Sequence, residues 1–444
     1  MNNYQLSIKN YQFYKDSGVA WLGDVPEHWE VKRLKDLSYI QNSNVDKKSY
    51  VDEIPVKLCN YVDVYKNEFI NSSLNFMNAT ATKSEIKQFV INEGDVFITK
   101  DSETCEDIAI PAIATESLEN VICGYHLAQF RTKEKIFLGS YLFRLFQSKS
   151  YGFRFVISAK GITRVGLGQS AIADSLTPVP PISEQRSIAT YLDTKTAQCD
   201  RKIDLLTQKA TQYGKLKQSL INETVTRGLD KSVPMKDIGV EWIGEVPEHW
   251  EIKRHKDNFI FVNKRCSDAT FLKVGLENIE SKTGQFLSTE SEFDGDGIEF
   301  RENDILFGKL RPYLAKVYLA KFNGNAIGDI FVYRTKLNTQ SKFANYLMLS
   351  SRYIDVMNSS TVGAKMPRVS SDFIANLIVA TPPLSEQKAI ADYLDTKTAQ
   401  IDQIIQTINA QIEKLKELRK TLINDVVTGK IKVIDNGELK MDNY

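Results

Sequence analysis

Two stretches of this chain occur twice, at two different spacings. Residues 18–33 read GVAWLGDVPEHWEVKR and residues 239–254 read GVEWIGEVPEHWEIKR, identical at twelve of sixteen positions with an offset of 221. Residues 180–198 read PPISEQRSIATYLDTKTAQ and residues 382–400 read PPLSEQKAIADYLDTKTAQ, identical at fifteen of nineteen with an offset of 202. The offsets differ by 19, so the whole length difference lies between the matched blocks, in residues 34–179 and 255–381. Those inserts share almost nothing. A repeat of this kind limits the fold before local propensity does: two constant frames surround two divergent inserts. Constant frames argue for one structural or partner-binding task done twice, and divergent inserts for two targets. The alternative is a plain duplication with drifted loops, although drift alone would also have blurred the frames.

The second block of each frame predicts a helix. Pro-Pro holds the preceding chain extended. Ser183 and Ser385 suit the N-cap position, and Glu184 and Glu386 then fall in a first turn that favours negative charge. From Leu192, alternate steps of four and three give Leu192, Thr196, Cys199, Ile203, Leu206, Ala210, Tyr213, Lys217, Leu220 and Thr224. The same steps give Leu394, Thr398, Ile401, Ile405, Ile408, Ile412, Leu415, Arg419, Leu422 and Val426. Seven and eight of the ten are apolar, the pattern of a coiled-coil seam. Gly228 and Gly429 stand near the helix ends, as C-terminal caps often do. Each helix is expected to run about 40 residues, roughly 60 Å.

A narrow seam needs a partner, and the other copy is the nearest candidate. The seam does not choose between parallel and antiparallel pairing; the linker at 230–237 argues for antiparallel. Its span is about 28 Å when extended, too short to run back along the helix. The alternative is a helical hairpin packed on its own domain. The expected architecture is α+β: two globular domains joined by two long helices in an antiparallel coiled coil, with an internal pseudo-two-fold. The segments are 1–179, helix 180–229, 230–381, helix 382–430, and a tail at 431–444.

Both inserts carry short β-branched and aromatic runs broken by turns. Strands are expected near 56–58, 88–91, 95–99 and 128–131, and near 271–274, 305–307, 315–320 and 330–334. Helices are expected near 139–148 and 341–351. Overall charge is silent, since 57 Lys+Arg face 56 Asp+Glu. A nucleic-acid surface would therefore need locally concentrated cations. Residues 131–164 carry eight Lys/Arg and one acid, and residues 309–321 carry four and none, interleaved with Tyr313 and Tyr318. Such runs suit phosphate and base-edge contact, or a solvated basic face. Each insert ends in a glycine followed by basic residues, GITRVGLG from Gly161 and GAKMPRVS from Gly363. A glycine there permits close approach to a phosphate, or simply a tight turn.

Other chemistry is poorly supported. The five cysteines are widely spaced with no CxxC, which points to free thiols in a reducing compartment. The polar N-terminus and the lack of an 18-residue apolar run predict a cytoplasmic protein without a membrane span. GLGQSA from Gly166 fits a dinucleotide fingerprint, but the second copy lacks its glycines and no Rossmann unit surrounds it. His28 and His249 occupy equivalent Pro-Glu-His-Trp sites, which favours packing or turn-making beside Trp29 and Trp250. No Walker A, HExxH, GxSxG or Asn-Pro-Pro-Tyr/Phe motif is present.

The paired W-[LI]-G-x-V-P-E-H-W-E blocks at Trp21 and Trp242, with the paired P-P-[IL]-S-E-Q-[RK]-x-I-A-x-Y-L-D blocks at Pro180 and Pro382, resemble the specificity subunit of Type I restriction–modification enzymes. The phrase FGKLRPYL from Phe307 also resembles a recurrent phrase of that family's target-recognition domains; GDVFITK from Gly94 takes its place in the first copy without Arg-Pro-Tyr. The resemblance implies two target-recognition domains, each reading half of a bipartite DNA site, and a coiled coil that fixes the gap. It implies double-stranded DNA, two methyltransferase subunits and two restriction (motor–nuclease) subunits as partners. S-adenosylmethionine, ATP and Mg are then expected in those partners, with no cofactor, metal or catalytic residue in this chain. Candidate DNA contacts are Lys100, Lys160, Arg164, Lys309, Arg311, Tyr313, Lys365 and Arg368. Two alternatives stay open: an assembly scaffold that does not read DNA, and a DNA-acting enzyme with unrecognised catalytic residues.

Overall fold

A computed structural model describes residues 10–266, 270–289 and 295–433. The first nine residues of the polar N-terminus, and 434–444 of the expected tail, lie outside the described residues. The chain divides into two compact units, residues 1–205 with 411–444, and residues 206–410. Each unit thus takes its residues from both halves of the sequence.

The repeated blocks are constant because they meet. Glu30–Arg33 pairs antiparallel with Leu176–Val179, and Glu251–Arg254 pairs with Ile378–Thr381. Trp29 and Trp250, just before the first strand of each pair, are buried. His28 bonds Glu184 and His249 bonds Glu386, both at 2.8 Å, so each histidine ties the Trp turn to the first helical turn. The glutamine of Ser-Glu-Gln is buried and fully used. Gln185 donates to the carbonyls of Pro180 (2.8 Å) and Ile136 (3.0 Å) and accepts from Leu138 N–H (2.9 Å). Gln387 repeats this with Pro382 (2.8 Å), Asn338 (3.0 Å) and Gln340 (2.8 Å).

The long helices are Ile182–Arg227 and Leu384–Val427, of 46 and 44 residues. Each begins at the residue after the Pro-Pro, one before the serine. Their first bonds run from Gln185 and Gln387 N–H to the carbonyls of Pro181 and Pro383. Ser183 and Ser385 therefore stand inside the first turn and are not N-caps. The second proline stands at the N-cap, where its carbonyl accepts the first helical bond and its missing N–H costs nothing.

All twenty seam positions are buried or half-buried, and between 197 and 216 every other residue of the first helix is exposed. Leu192, Ile203 and Leu422 lie in the first unit; Leu206, Leu220, Leu394, Ile401, Ile405 and Ile408 lie in the second. Within each unit the helices run antiparallel. In the first, Leu192 shares a core with Ile423, Val426 and Val427, while Arg419 bonds Asp200 at 3.1 Å. In the second, Ile221 and Val225 share a core with Ile390 and Leu394, while Lys217 bonds Asp402 at 2.7 Å.

Among the described residues each insert contains two sheets of four or five strands, and the first adds a two-stranded pair, Asp101–Ser102 with Val165–Gly166. In the first unit, Ser38–Asn42, Leu127–Thr132, Val96–Thr99, Pro111–Ala114 and Phe69–Ile70 form one; Met77–Ala81, Ile54–Cys59, Leu118–Cys123 and Val90–Ile91 form the other. In the second unit, Phe259–Val262, Ile330–Thr335, Ile305–Gly308 and Val317–Leu319 form one; Arg265–Cys266, Gly297–Phe300, Gly324–Ala326 and Lys273–Val274 form the other. Bidentate pairs of a half-buried arginine on a buried aspartate brace equivalent strands: Arg131 on Asp95 (2.9 and 2.7 Å) and Arg334 on Asp304 (2.8 and 2.6 Å).

Some expected elements change. The strand at 88–91 shortens to Val90–Ile91, because the Thr82–Glu85 capping box starts a helix over Lys83–Phe89. The strand at 315–320 shortens to Val317–Leu319, since Ala315 closes a turn at φ 48°. The strand at 271–274 shortens to Lys273–Val274. The helix at 341–351 is two, Ser341–Leu349 and Ser351–Ser359, broken where Ser350 caps the second. The first unit matches, with Gly139–Gln147 and Lys149–Ser158 broken at Ser148.

Candidate nucleic-acid interface

In the second unit, three extended segments lie abreast beyond the strand Ile305–Gly308. Lys309 N–H donates to Asp329 O at 2.9 Å, and Lys309 O accepts from Val369 N–H at 3.1 Å. Leu310 bridges Arg368, whose N–H and C=O bond Val362 at 3.1 and 3.0 Å. Asp329, Lys309 and Arg368 are thereby brought together. The Asp329 carboxylate accepts from Arg368 Nε (3.0 Å) and Nη2 (2.9 Å) and lies 3.7 Å from Lys309 Nζ. The Arg368 guanidinium holds the Asp329 carboxyl below the usual range, although burial opposes it. Lys309 Nζ also sits 5.1 Å over the Phe331 ring. Arg311 adopts φ 49° beside the turn Pro312–Leu314 and donates its N–H to Pro367 O at 2.8 Å. The side chains of Arg311, Tyr313 and Lys365 are exposed.

The first unit repeats this backbone with different side chains. Lys100 N–H donates to His126 O, and Leu167 N–H to Lys100 O, both at 2.9 Å. Asp101 pairs with Gly166, and Lys160 and Gly166 exchange two bonds of 3.0 Å. The 202 offset carries Lys160 onto Val362 and Gly166 onto Arg368. The carboxylate has moved to Asp101, which bonds His126 and Arg164 Nη2 (3.0 Å) and lies 4.0 Å from Lys100 Nζ. Burial lowers the His126 pKa, with Asp101 opposing and Arg164 adding to the shift. Gly161 serves the turn: at φ 144°, an added Cβ would lie 1.8 Å from Arg164 O. Lys160 and Arg164 are exposed on that hairpin.

The basic run at 131–164 overstates the basic surface. Arg131 is committed to Asp95. Arg144, 1% exposed, donates to Asp193 at 3.0 and 2.6 Å. Arg154 packs on Trp21, Tyr151 and Phe155 and donates to Leu176 O at 3.0 Å. The carboxylates Asp101 and Asp329 gather the cations of the two patches, and no run of basic residues in the sequence points to them. The GLGQSA stretch runs from the end of the strand Val165–Gly166 into the helix Gln169–Ala173.

Comparison with known proteins agrees with this duplication. The family described as Type I restriction modification DNA specificity domain matches twice, over residues 26–212 and 247–414. The Type I restriction enzyme MjaVIII specificity subunit of Methanocaldococcus jannaschii is 23% identical, covering 95% of this chain and 98% of that protein. The EcoDI specificity subunit of Escherichia coli is 23% identical over 62% of this chain and 66% of its own length. The HsdS subunit from Thermoanaerobacter tengcongensis superposes with a TM-score of 0.55 at 15% identity, covering 92% of this chain and 98% of that one. A chain from a structure titled for complex assembly and conformational transition of the type I R-M system superposes with a TM-score of 0.69 at 15% identity, over 91% and 98%. Those two likenesses concern the fold. The family match covers most of the sequence in two copies, one per unit, and the chain therefore belongs to the Type I restriction–modification DNA specificity family.

Proposed function

We propose that each unit reads one half of a bipartite, asymmetric DNA site, and that the helix pair sets the spacing and docks two methyltransferase subunits. One observation carries this reading. Both units build the same three-segment patch, with lysine, a carboxylate and arginine gathered on it, but with the side chains redistributed. A shared backbone with unlike side chains suits two readers of unlike half-sites. The chain itself is non-catalytic in this reading. S-adenosylmethionine would be bound by the methyltransferase subunits, and ATP and Mg by two restriction subunits, where those join. No helix among the described residues is long and apolar enough to cross a membrane, and a DNA reader of this kind would work in the cytoplasm.

The test combines two assays. The purified chain with duplex DNA and S-adenosylmethionine is expected to transfer no methyl group, whereas the complex with methyltransferase subunits methylates a bipartite site. Its gel shift is expected to weaken steeply with salt. Arg311→Ala is expected to weaken or relax reading at the second unit's half-site alone. Methyl transfer by the chain alone would favour an enzyme, and no shift even with methyltransferase present would favour a pure assembly scaffold.

A further inference from the structure

Arg368 is an exposed arginine with little freedom left. Its N–H and C=O are both bonded to Val362, and its other flank bridges Leu310. Asp329 then takes Nε and Nη2 together. A guanidinium has five N–H groups in a fixed plane. Two are used here, and three remain, including the parallel Nη1/Nη2 pair at the end of the fork that matches O6 and N7 of guanine in the major groove. Asp329 is more buried than Arg368 (23% against 44% side-chain exposure), so the carboxylate stands behind the fork. Lys309, beside the same carboxylate, leaves the trio with net positive charge towards DNA.

We propose that Asp329 is a positioning residue, which fixes Arg368 to read a guanine in the second unit's half-site. This rests on the DNA-reading function above. The first unit has no such fork at this place. Gly166 replaces Arg368, and Arg164 meets Asp101 through one nitrogen beside His126.

The experiment uses the full chain in complex with its methyltransferase subunits. Binding and methylation are measured on duplexes varied at each base pair of both half-sites, for wild type, Asp329→Asn, Asp329→Glu and Arg368→Ala. Asp329→Asn is expected to lower discrimination at one guanine of the second half-site by roughly 5- to 150-fold, the range of one bidentate contact. Arg368→Ala relaxes the same base pair, and Asp329→Glu restores part of the discrimination. In Asp329→Asn the affinity for non-cognate duplex stays level or rises, since a negative charge has gone. Equal loss on every duplex would mean a packing role and overturn the inference, as would relaxation at a base pair other than guanine. Unchanged discrimination in both Asp329→Asn and Arg368→Ala, with the bipartite site intact, would overturn it while sparing the DNA-reading function. A wild-type complex indifferent to the second half-site would instead sink that function, and the inference with it.

Discussion

Leu34 and His255 are the first residues of the two inserts, 221 residues apart, and both are fully buried. His255 stacks on Phe259 at 4.1 Å and meets the Tyr333 ring edge-on at 5.0 Å. Neither ring nitrogen has a hydrogen-bond partner, and burial lowers its pKa to about 3. The unfolded chain takes up a proton near pH 6.5 that the folded unit refuses. Stability is therefore intact above that pH and falls as pH drops towards about 3, by about 2 kcal/mol at pH 5. The Tyr353 hydroxyl beside it is also unpartnered, whereas its counterpart Tyr151 bonds Ser175 and Thr177 at 3.1 and 2.9 Å. His255→Leu, which copies the first unit, is expected to flatten the decline in unfolding temperature between pH 7 and 5. An unchanged pH slope would refute this assignment. The sequence displays four histidines but not the solvation that separates His255 from the others. Its buried ring and the half-exposed rings of His28 and His249 look alike in a string of letters.

At the scale of the helices, the apolar rhythm was legible and its exceptions were informative. Lys217 and Arg419 interrupt the two seams at equivalent positions. Each finds an aspartate on the opposing helix, Asp402 and Asp200, related by the same 202 offset. Those partners lie off the seam, so periodicity could not flag them. Arg419 also bonds Glu68 of the first insert at 2.6 Å, which ties the second helix to the domain of the first unit. A polar rung in an apolar seam fixes register at some cost in stability. Asp402→Ala is expected to destabilise the second unit by about 1 kcal/mol, because Lys217 is left mostly buried without its partner. Adding Lys217→Leu is expected to recover that loss in thermal unfolding, with looser register. A double variant no more stable than Asp402→Ala would argue against the rung.

For the whole molecule, the division into units matters more than the division of the sequence. The first unit is completed by residues 411–444, from the far end of the chain. A fragment of residues 1–230 lacks Ile423, Val426 and Val427, which close its core. Its own residues at 221, 224 and 225 stand at the same repeat positions. The fragment is therefore expected to pair antiparallel with a second copy and to sediment at twice its mass; a stable folded monomer would contradict this. The duplication, frames and helices were readable because identity and period survive in letters. The two three-segment patches were not, because the carboxylates that assemble them come from non-equivalent positions, Asp101 and Asp329.

The strand pair that closes each frame has a thermodynamic consequence. Both ends of an insert are held in one short ladder, Arg33 opposite Leu176 and Arg254 opposite Ile378. The frame therefore meets its insert as a closed loop, and loop-closure entropy depends only on the logarithm of length. The 19-residue difference between the two inserts then changes that entropy term by only about 0.1 kcal/mol. Insert length is almost free to vary between these anchors, provided each insert brings its own core.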